Sequence, residues 1–373
     1  MRASLDLAHI GAQFEITGTF VDAYPFGNGH INATYLATYR EKAREYRYLH
    51  QRINERVFTN IPHLMHNIGV VTRHMRAKLE TSLLDEARRR VLTLVRCNVA
   101  TKDGADAYCD DYGYWWRTYE FIEGATAYDF IDTPEQALAV GRAFGGFLQA
   151  VDDLDPSVVF ETLPNFHDTR KRFDALQIAI AEDSCQRAIK ASDEIAYCLQ
   201  REDLADRLDL LRTTGSARVR VTHNDTKVNN VLLDDRTGEG ICVIDLDTVM
   251  PGLALYDFGD IVRTATTSVA EDEIDLSKVR VDARMFEAVT RGYVEAAGAA
   301  LSSEEIEHLL ISAHVITFEN GIRFLADYLM GDTYFRIRDH DQNLRRARVQ
   351  FALMKSLEEQ RRSLDEIVLR VRV

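Results

Sequence analysis

The sequence predicts an α+β chain of two lobes, with a small, mainly β beginning and a larger, mainly helical remainder. Three observations carry that expectation. β-Formers dominate much of the first 122 residues, helical spacing dominates from Thr133 onward, and 373 residues suggest two lobes.

In chain order, residues 4–12 read as a short helix and 14–40 as two or three strands. The apolar spacing of HLMHNIGVVTRHMRAKLETSLL predicts a helix over 63–84. Strands are expected at 91–95 and 105–109, and the aromatic, β-branched run Trp115–Ile122 ends at Glu123-Gly124. Thr133-Pro134-Glu135-Gln136 is a helix start, with an N-cap, proline at the first position and glutamine at the third. That helix should run to Val151, with Gly141, Gly145 and Gly146 permitting close packing. Helical spacing recurs at 168–183, 186–212, 283–297, 303–330 behind a Ser302/Glu305 capping box, and 341–369. The stretch 264–281 is polar and loop-like.

The segment Val221–Asp260 departs from this helical part. Strands are expected at 219–222, 231–233 and 241–246, with a hairpin turn over Asp234–Gly240 and an acidic loop, YDFGD, at the end. Between the first two strands lies His223-Asn-Asp225-Thr-Lys227-Val-Asn-Asn230, polar apart from Val228. These residue types suit phosphoryl transfer from a nucleotide, which needs a carboxylate to orient the acceptor hydroxyl, hard oxygens for Mg²⁺ and a nearby cation. Asp225 offers the first, Asn230 and Asp245 the second, and Lys227 the third. Asp245 and Asp247 would point to one side of an extended backbone. A metal-dependent hydrolase is the competing chemistry, since His, Asp and Asn also bind catalytic metals.

The pattern His-x-Asp-x-Lys-x-x-Asn followed by an Asp-bearing strand end resembles the catalytic and metal loops of the protein-kinase-like fold. Asp-Leu-Asp at 245–247, and no arginine after His223, is similar to the aminoglycoside phosphotransferase branch. VTHNDTKVNN, IDLDTVMPG and YDFGD, with GNGHINATYL (27–36), FHDTRKRF (166–173) and GIRFLADYLMGDTYF (321–335), resemble the N-acetylhexosamine 1-kinases of that branch. The resemblance implies a nucleotide-binding lobe at 1–122 and a catalytic, substrate-binding lobe at 123–373. It implies ATP and Mg²⁺ as cofactors, and as reaction the phosphorylation of an N-acetylhexosamine at its anomeric hydroxyl.

Residue by residue, the resemblance implies that Asp225 is the base and Lys227 reaches the phosphate, while Asn230 and Asp245 hold the metal. Gly27 and Gly29 would cover the phosphates, against the plainer reading of a hairpin turn. Glu120, Phe121 and Ile122 would form the hinge that pairs with adenine. Gln51 stands where kinases carry the phosphate-binding lysine, which puts the usual lysine–glutamate pair in doubt. His30, Arg323 and Tyr334 would meet the sugar; the competing reading of Arg323 is a surface ion pair. His223 is expected to brace the loop and Asp257 to tie it to backbone amides. The alternatives are another hexose, an amino alcohol or an aminoglycoside as acceptor, or nucleotide binding without turnover.

Composition bounds the partners. Net charge is −14, which argues against nucleic acid and anionic membranes and leaves a small molecule as the expected partner. Five scattered cysteines suit reduced thiols better than disulfides. The beginning MRASLDLAHIGAQFEI carries charges where a signal peptide has an apolar core, so the expectation is a cytoplasmic protein.

Overall fold

The computed structural model describes residues 6–27, 31–79, 89–98 and 106–371. Two compact units emerge. The first holds residues up to Ala125 together with Ser157–Leu163 and Ile244–Met250; the second holds Thr126–Pro156, Pro164–Val243 and Pro251 onward.

The first unit is a five-stranded antiparallel sheet in the order β1-β2-β3-β5-β4. Its strands are β1 (Thr19–Pro25), β2 (Ala33–Glu41), β3 (Arg44–Arg52), β4 (Tyr108–Cys109) and β5 (Trp115–Glu120). Helix α1 (Leu7–Gly11) precedes them, and α2 (Ile61–Leu79) follows β3; residues 80–84 of the expected helix lie outside the described residues. Aromatic rings fill this core: Phe14, Tyr39, Tyr48 and Trp116 pack with Ile10 and Val95. No strand forms at 91–95. Leu94 makes one bridge to Tyr119, and Val95 donates to the carbonyl of Thr118 at 2.8 Å, so the segment is only an irregular edge.

The second unit is mainly helical. Helix α3 (Pro134–Val151) starts where its capping residues put it, with the Thr133 hydroxyl accepting from the amide of Gln136. Helix α4 (Thr169–Glu182) follows. The stretch 186–212 is not one helix: it breaks into 3-10 turns around α5 (Ser192–Leu199), with α6 starting at Arg207 and ending at Thr214 before Gly215. β7 (Val219–Thr222) pairs with β10 (Met250–Leu253), while β8 (Val231–Asp234) forms a hairpin with β9 (Gly240–Val243) and is flanked on its other side by the short β6 (Ala125–Ala127).

YDFGD is helical, not a loop. It lies in α7 (Ala254–Ala265), whose Leu255, Phe258, Ile261 and Val262 are fully buried. Beyond it come α8 (Ala283–Ala297), α9 (Ser303–Glu307) behind the expected capping box, α10 (Leu309–Leu329), α11 (Gln342–Glu359) and α12 (Arg361–Val371). The two long helices expected at 303–330 and 341–369 are thus each broken once, at His308 and Gln360. Helix α10 is long and apolar enough to cross a membrane, yet it is the buried core of this unit, packed by Phe173, Leu176, Phe351 and Met354.

Helices α3 and α8 touch through glycine. A Cβ on Gly141 would press into the carbonyl of Val289, and one on Gly145 into that of Tyr293; at Gly146 it would meet nothing within 4 Å. Gly146 therefore has no part in the close packing expected of it. Gly141→Ala should destabilise the protein by about 1–3 kcal/mol, the usual cost of overpacking. Gly146→Ala should be neutral or stabilising by up to about 1 kcal/mol, because alanine favours helix. Urea unfolding of the two variants checks the contrast.

Candidate active site

In the second unit, the polar loop after β7 is built around a buried carboxylate. Asp257, on α7 and 2% exposed, accepts from the backbone amides of His223 (3.1 Å) and Asn224 (2.7 Å). Burial raises its pKa, against the pull of His223 and of those amides. The Thr226 hydroxyl donates to the Asp257 carbonyl at 2.6 Å, so one helical residue holds three loop positions. His223 is fully buried, edge-on to Phe144 and Phe147, and its Nδ1 accepts the amide of Asp225 at 3.2 Å. It braces the loop, as its position suggested.

Asp225, Lys227 and Asn230 come together. Asp225 Oδ2 lies 3.1 Å from Lys227 Nζ, and Asn230 Nδ2 donates to the Asp225 carbonyl at 2.8 Å and to Oδ2 at 3.2 Å. The amide of Asn230 thereby fixes the carboxylate, and its side-chain oxygen is the atom that could ligate a hard cation. Burial works to raise the pKa of Asp225, but Lys227, then His223 and Arg263, outweigh it and hold the carboxyl below its ordinary value.

A second support was not visible in the sequence. His167, after Phe166 in FHDTRKRF, bridges Glu319 on α10 (2.8 Å) and the carbonyl of Asn224 (2.9 Å). Burial disfavours its charge, yet Glu319 outweighs burial and raises the His167 pKa. Thr169 donates to the other oxygen of Glu319 at 2.7 Å.

Arg323 lies on α10 near this bridge, half-buried, with its guanidinium 5.6 Å from the ring centroids of both Phe166 and Phe335. Its one polar contact in hydrogen-bond range is a long one to Asn320, and among the described residues no carboxylate lies within 4 Å. The surface ion pair is not what forms. Arg172 shares the neighbourhood: burial first, then the field of Arg323, lowers its pKa. Tyr334 is 64% exposed, on a turn where Asp327 accepts the amides of Thr333, Tyr334 and Phe335. Sequence reasoning missed Arg172 and His167, although both lie in a segment singled out for its resemblance.

The first unit carries the other candidates. Gly27 takes a positive φ of 76° in the turn after β1, while Gly29 and His30 lie outside the described residues. Gln51 faces its own sheet, donating to Thr34 Oγ1 at 2.9 Å and accepting from Arg117 Nε at 3.0 Å. The amides of Glu120 and Phe121 are taken by the carbonyls of Thr93 (2.9 Å) and Arg47 (3.1 Å). Any amide pairing with an adenine edge would therefore be that of Ile122 or of a residue after it.

Asp245 and Asp247 do not share a face. The strand ends at Val243, Asp245 adopts a left-handed conformation (φ 59°, ψ 58°), and a 3-10 turn follows over Leu246–Thr248. The chain is not extended there, so Asp245 is exposed while Asp247 is buried.

A model of the phosphotransferase enzyme family matches residues 23–293. Among solved structures, the chain is similar to a microcompartment-associated aminopropanol kinase at 17% identity and a TM-score of 0.61, covering 96% of this chain and 98% of that one. It is similar to an aminoglycoside phosphotransferase from Alicyclobacillus acidocaldarius at 12% identity and a TM-score of 0.62, covering 98% of each. A spectinomycin phosphotransferase in complex with ADP and spectinomycin gives 12% and 0.56, again with 98% of each. What these structures share with the chain is the fold, a small β-sheet lobe with a larger helical part.

The depressed pKa of Asp225 has a testable sign. Its ionisation stabilises the fold above the ordinary carboxylate value of about 3.9, and that contribution is lost as pH falls through the lower folded value. In an NMR titration of carboxyl carbons, Asp225 should titrate below about 3.9. Lys227→Met removes the largest opposing charge and should move that titration upward; an unmoved midpoint would mean Lys227 does not set it.

Proposed function

This chain belongs to the phosphotransferase enzyme family, and from that premise we propose that it transfers the γ-phosphate of ATP to the anomeric hydroxyl of an N-acetylhexosamine. The observation that carries the phosphoryl-transfer part is the Asp225 cluster. A carboxylate held ionised by a lysine at 3.1 Å, and fixed in direction by an asparagine amide, is a base with a set orientation. Asp225 would accept the hydrogen bond of the acceptor hydroxyl and take its proton. An anomeric hydroxyl is more acidic than an ordinary alcohol, so a carboxylate suffices.

The donor set fits Mg²⁺ carried in with a nucleotide. Mg²⁺ is usually bound through one or two carboxylates plus substrate phosphates and water. Among the described residues no three His, Cys, Asp or Glu side chains gather into a metal cage. Asp245, with an exposed carboxylate, and Asn230, with a neutral oxygen, are the two ligands that the resemblance implies. The ion would neutralise charge on the polyphosphate; the chain's own part is to keep Asp225 ionised.

For the acceptor, the supporting observation is Arg323. A half-buried guanidinium between two rings, with no carboxylate within 4 Å among the described residues, suits a carbonyl or hydroxyl oxygen of a ligand. Tyr334 would add a ring face and a hydroxyl, and the resemblance also assigns His30, outside the described residues, to the sugar. Amino alcohols and aminoglycosides are the second reading, since a structural neighbour is an aminopropanol kinase. Two arginines close enough to lower the pKa of one of them disfavour a cationic acceptor and favour an uncharged sugar.

Asp225→Asn keeps the shape of the base and removes its proton-accepting function. Turnover should fall by a factor of about 10² or more, with nucleotide affinity little changed. Near-normal turnover in the folded variant would sink the assignment. Arg323→Ala should raise the sugar KM roughly ten- to a hundredfold, the equivalent of about 1.5–3 kcal/mol for a charged hydrogen bond. The KM for ATP should stay constant; equal changes in both would mean the sugar is gripped elsewhere.

A further inference from the structure

Protein kinases order their phosphate site with an ion pair between a lysine on the third strand and a glutamate on the following helix; among the described residues β3 and α2 supply neither. Gln51 occupies the strand position, and α2 contains no Asp or Glu at all. One buried ion pair stands beside the vacated position. In the β3–β5 register Gln51 faces Arg117, and the Arg117 Nε donates to Gln51 Oε1 at 3.0 Å, so both side chains share one face of the sheet. The Arg117 guanidinium, 1% exposed, reaches Asp247 at 2.5 Å. The second oxygen of Asp247 accepts from Asn32, just beyond the glycine stretch, at 2.6 Å; the Asn32 side-chain oxygen accepts the amide of Asn54 at 3.0 Å. Tyr119 lies 5.3 Å below the guanidinium.

We propose that Arg117 and Asp247 are the relocated ion pair of this enzyme, and that Arg117 is a positioning residue for the metal ligand Asp245. This rests on the Mg²⁺–nucleotide reading above. Asp247 is an anchor, because both its oxygens are engaged by buried or half-buried partners. Asp245, two residues earlier, is left exposed in a left-handed conformation that a non-glycine residue holds only when its surroundings impose it. Asp247, in the turn that follows directly, makes the buried contacts that hold this segment. Burial disfavours the charge of Arg117, but Asp247, with Tyr119 and Asp245, outweighs it. The arginine therefore stays charged and keeps the turn that carries Asp245 in place. Asn67 on α2 supports the same turn by donating to the carbonyl of Val249 at 2.9 Å.

Calorimetric binding of ADP with Mg²⁺ and with EDTA, on purified full-length protein, tests this without turnover. Arg117→Met and Asp247→Asn should each weaken Mg²⁺–ADP binding at least tenfold, while ADP binding in EDTA changes less than threefold. That split is the signature of a displaced metal ligand. Asp247→Asn is nearly isosteric and serves if Arg117→Met does not fold. Equal losses with and without Mg²⁺ would mean a merely structural pair and overturn the proposal, as would unchanged Mg²⁺–ADP affinity in a folded variant. Wild-type protein that binds no Mg²⁺–ADP would instead overturn the kinase reading, and this inference with it.

Discussion

The loop that carries Asp225 depends on the carboxylate of Asp257. Burying it in a helix of apolar contacts is costly unless its oxygens are hydrogen-bonded. The amides of His223 and Asn224 meet that requirement. The constraint works in both directions: the helix needs the amides, and the loop is thereby held against the helix. Asn224 takes a left-handed backbone, φ 65°, between the Asp257 bond to its amide and the His167 bond to its carbonyl. The residue after it is Asp225. Asp225, the proposed base, is therefore oriented by bonds made one and two residues upstream, while its own carboxylate meets Lys227 and Asn230.

The segment of Asp245 in the first unit follows the same physical scheme. Asp245 is itself left-handed, and the buried contacts are made two residues downstream, at Asp247. Non-glycine residues in this region cost of order 1 kcal/mol or more each, and each here adjoins or is a candidate functional carboxylate. The fold spends its buried polar contacts on neighbours, so the candidate functional carboxylates stay exposed or half-exposed. Breaking a buried pair such as Arg117–Asp247 on one side typically costs about 3–5 kcal/mol, so these supports are stability features as well.

How much of this was legible in the sequence varied with the range of the interaction. The Asp225–Lys227–Asn230 cluster lies within six residues, and its spacing announced it. The helix of YDFGD was also written locally, in apolar residues at 254, 255, 258, 261, 262 and 265. The acidic residues and Gly259 obscured that period. Gly259 is there because Ile316 and the Ser312 carbonyl crowd it, a reason only the tertiary structure supplies. The left-handed turn at Asp245 carries no glycine to flag it, so an extended Asp-x-Asp was the natural and wrong reading. His167, Arg172 and Arg117 escaped notice because what gives them meaning lies far along the chain, at Glu319, Arg323 and Asp247. Single-sequence patterns do not record such pairings.

The central claim is Mg²⁺-dependent phosphorylation of a neutral amino sugar at its anomeric oxygen. Phosphorus NMR of reactions containing ATP, Mg²⁺ and one acceptor each tests it most directly, with N-acetylglucosamine, N-acetylgalactosamine, glucose, aminopropanol and an aminoglycoside as the set. The account predicts a sugar 1-phosphate signal with the N-acetylhexosamines, lost when EDTA replaces Mg²⁺. A phosphorylated product only from aminopropanol or the aminoglycoside, or none from any acceptor, would contradict it.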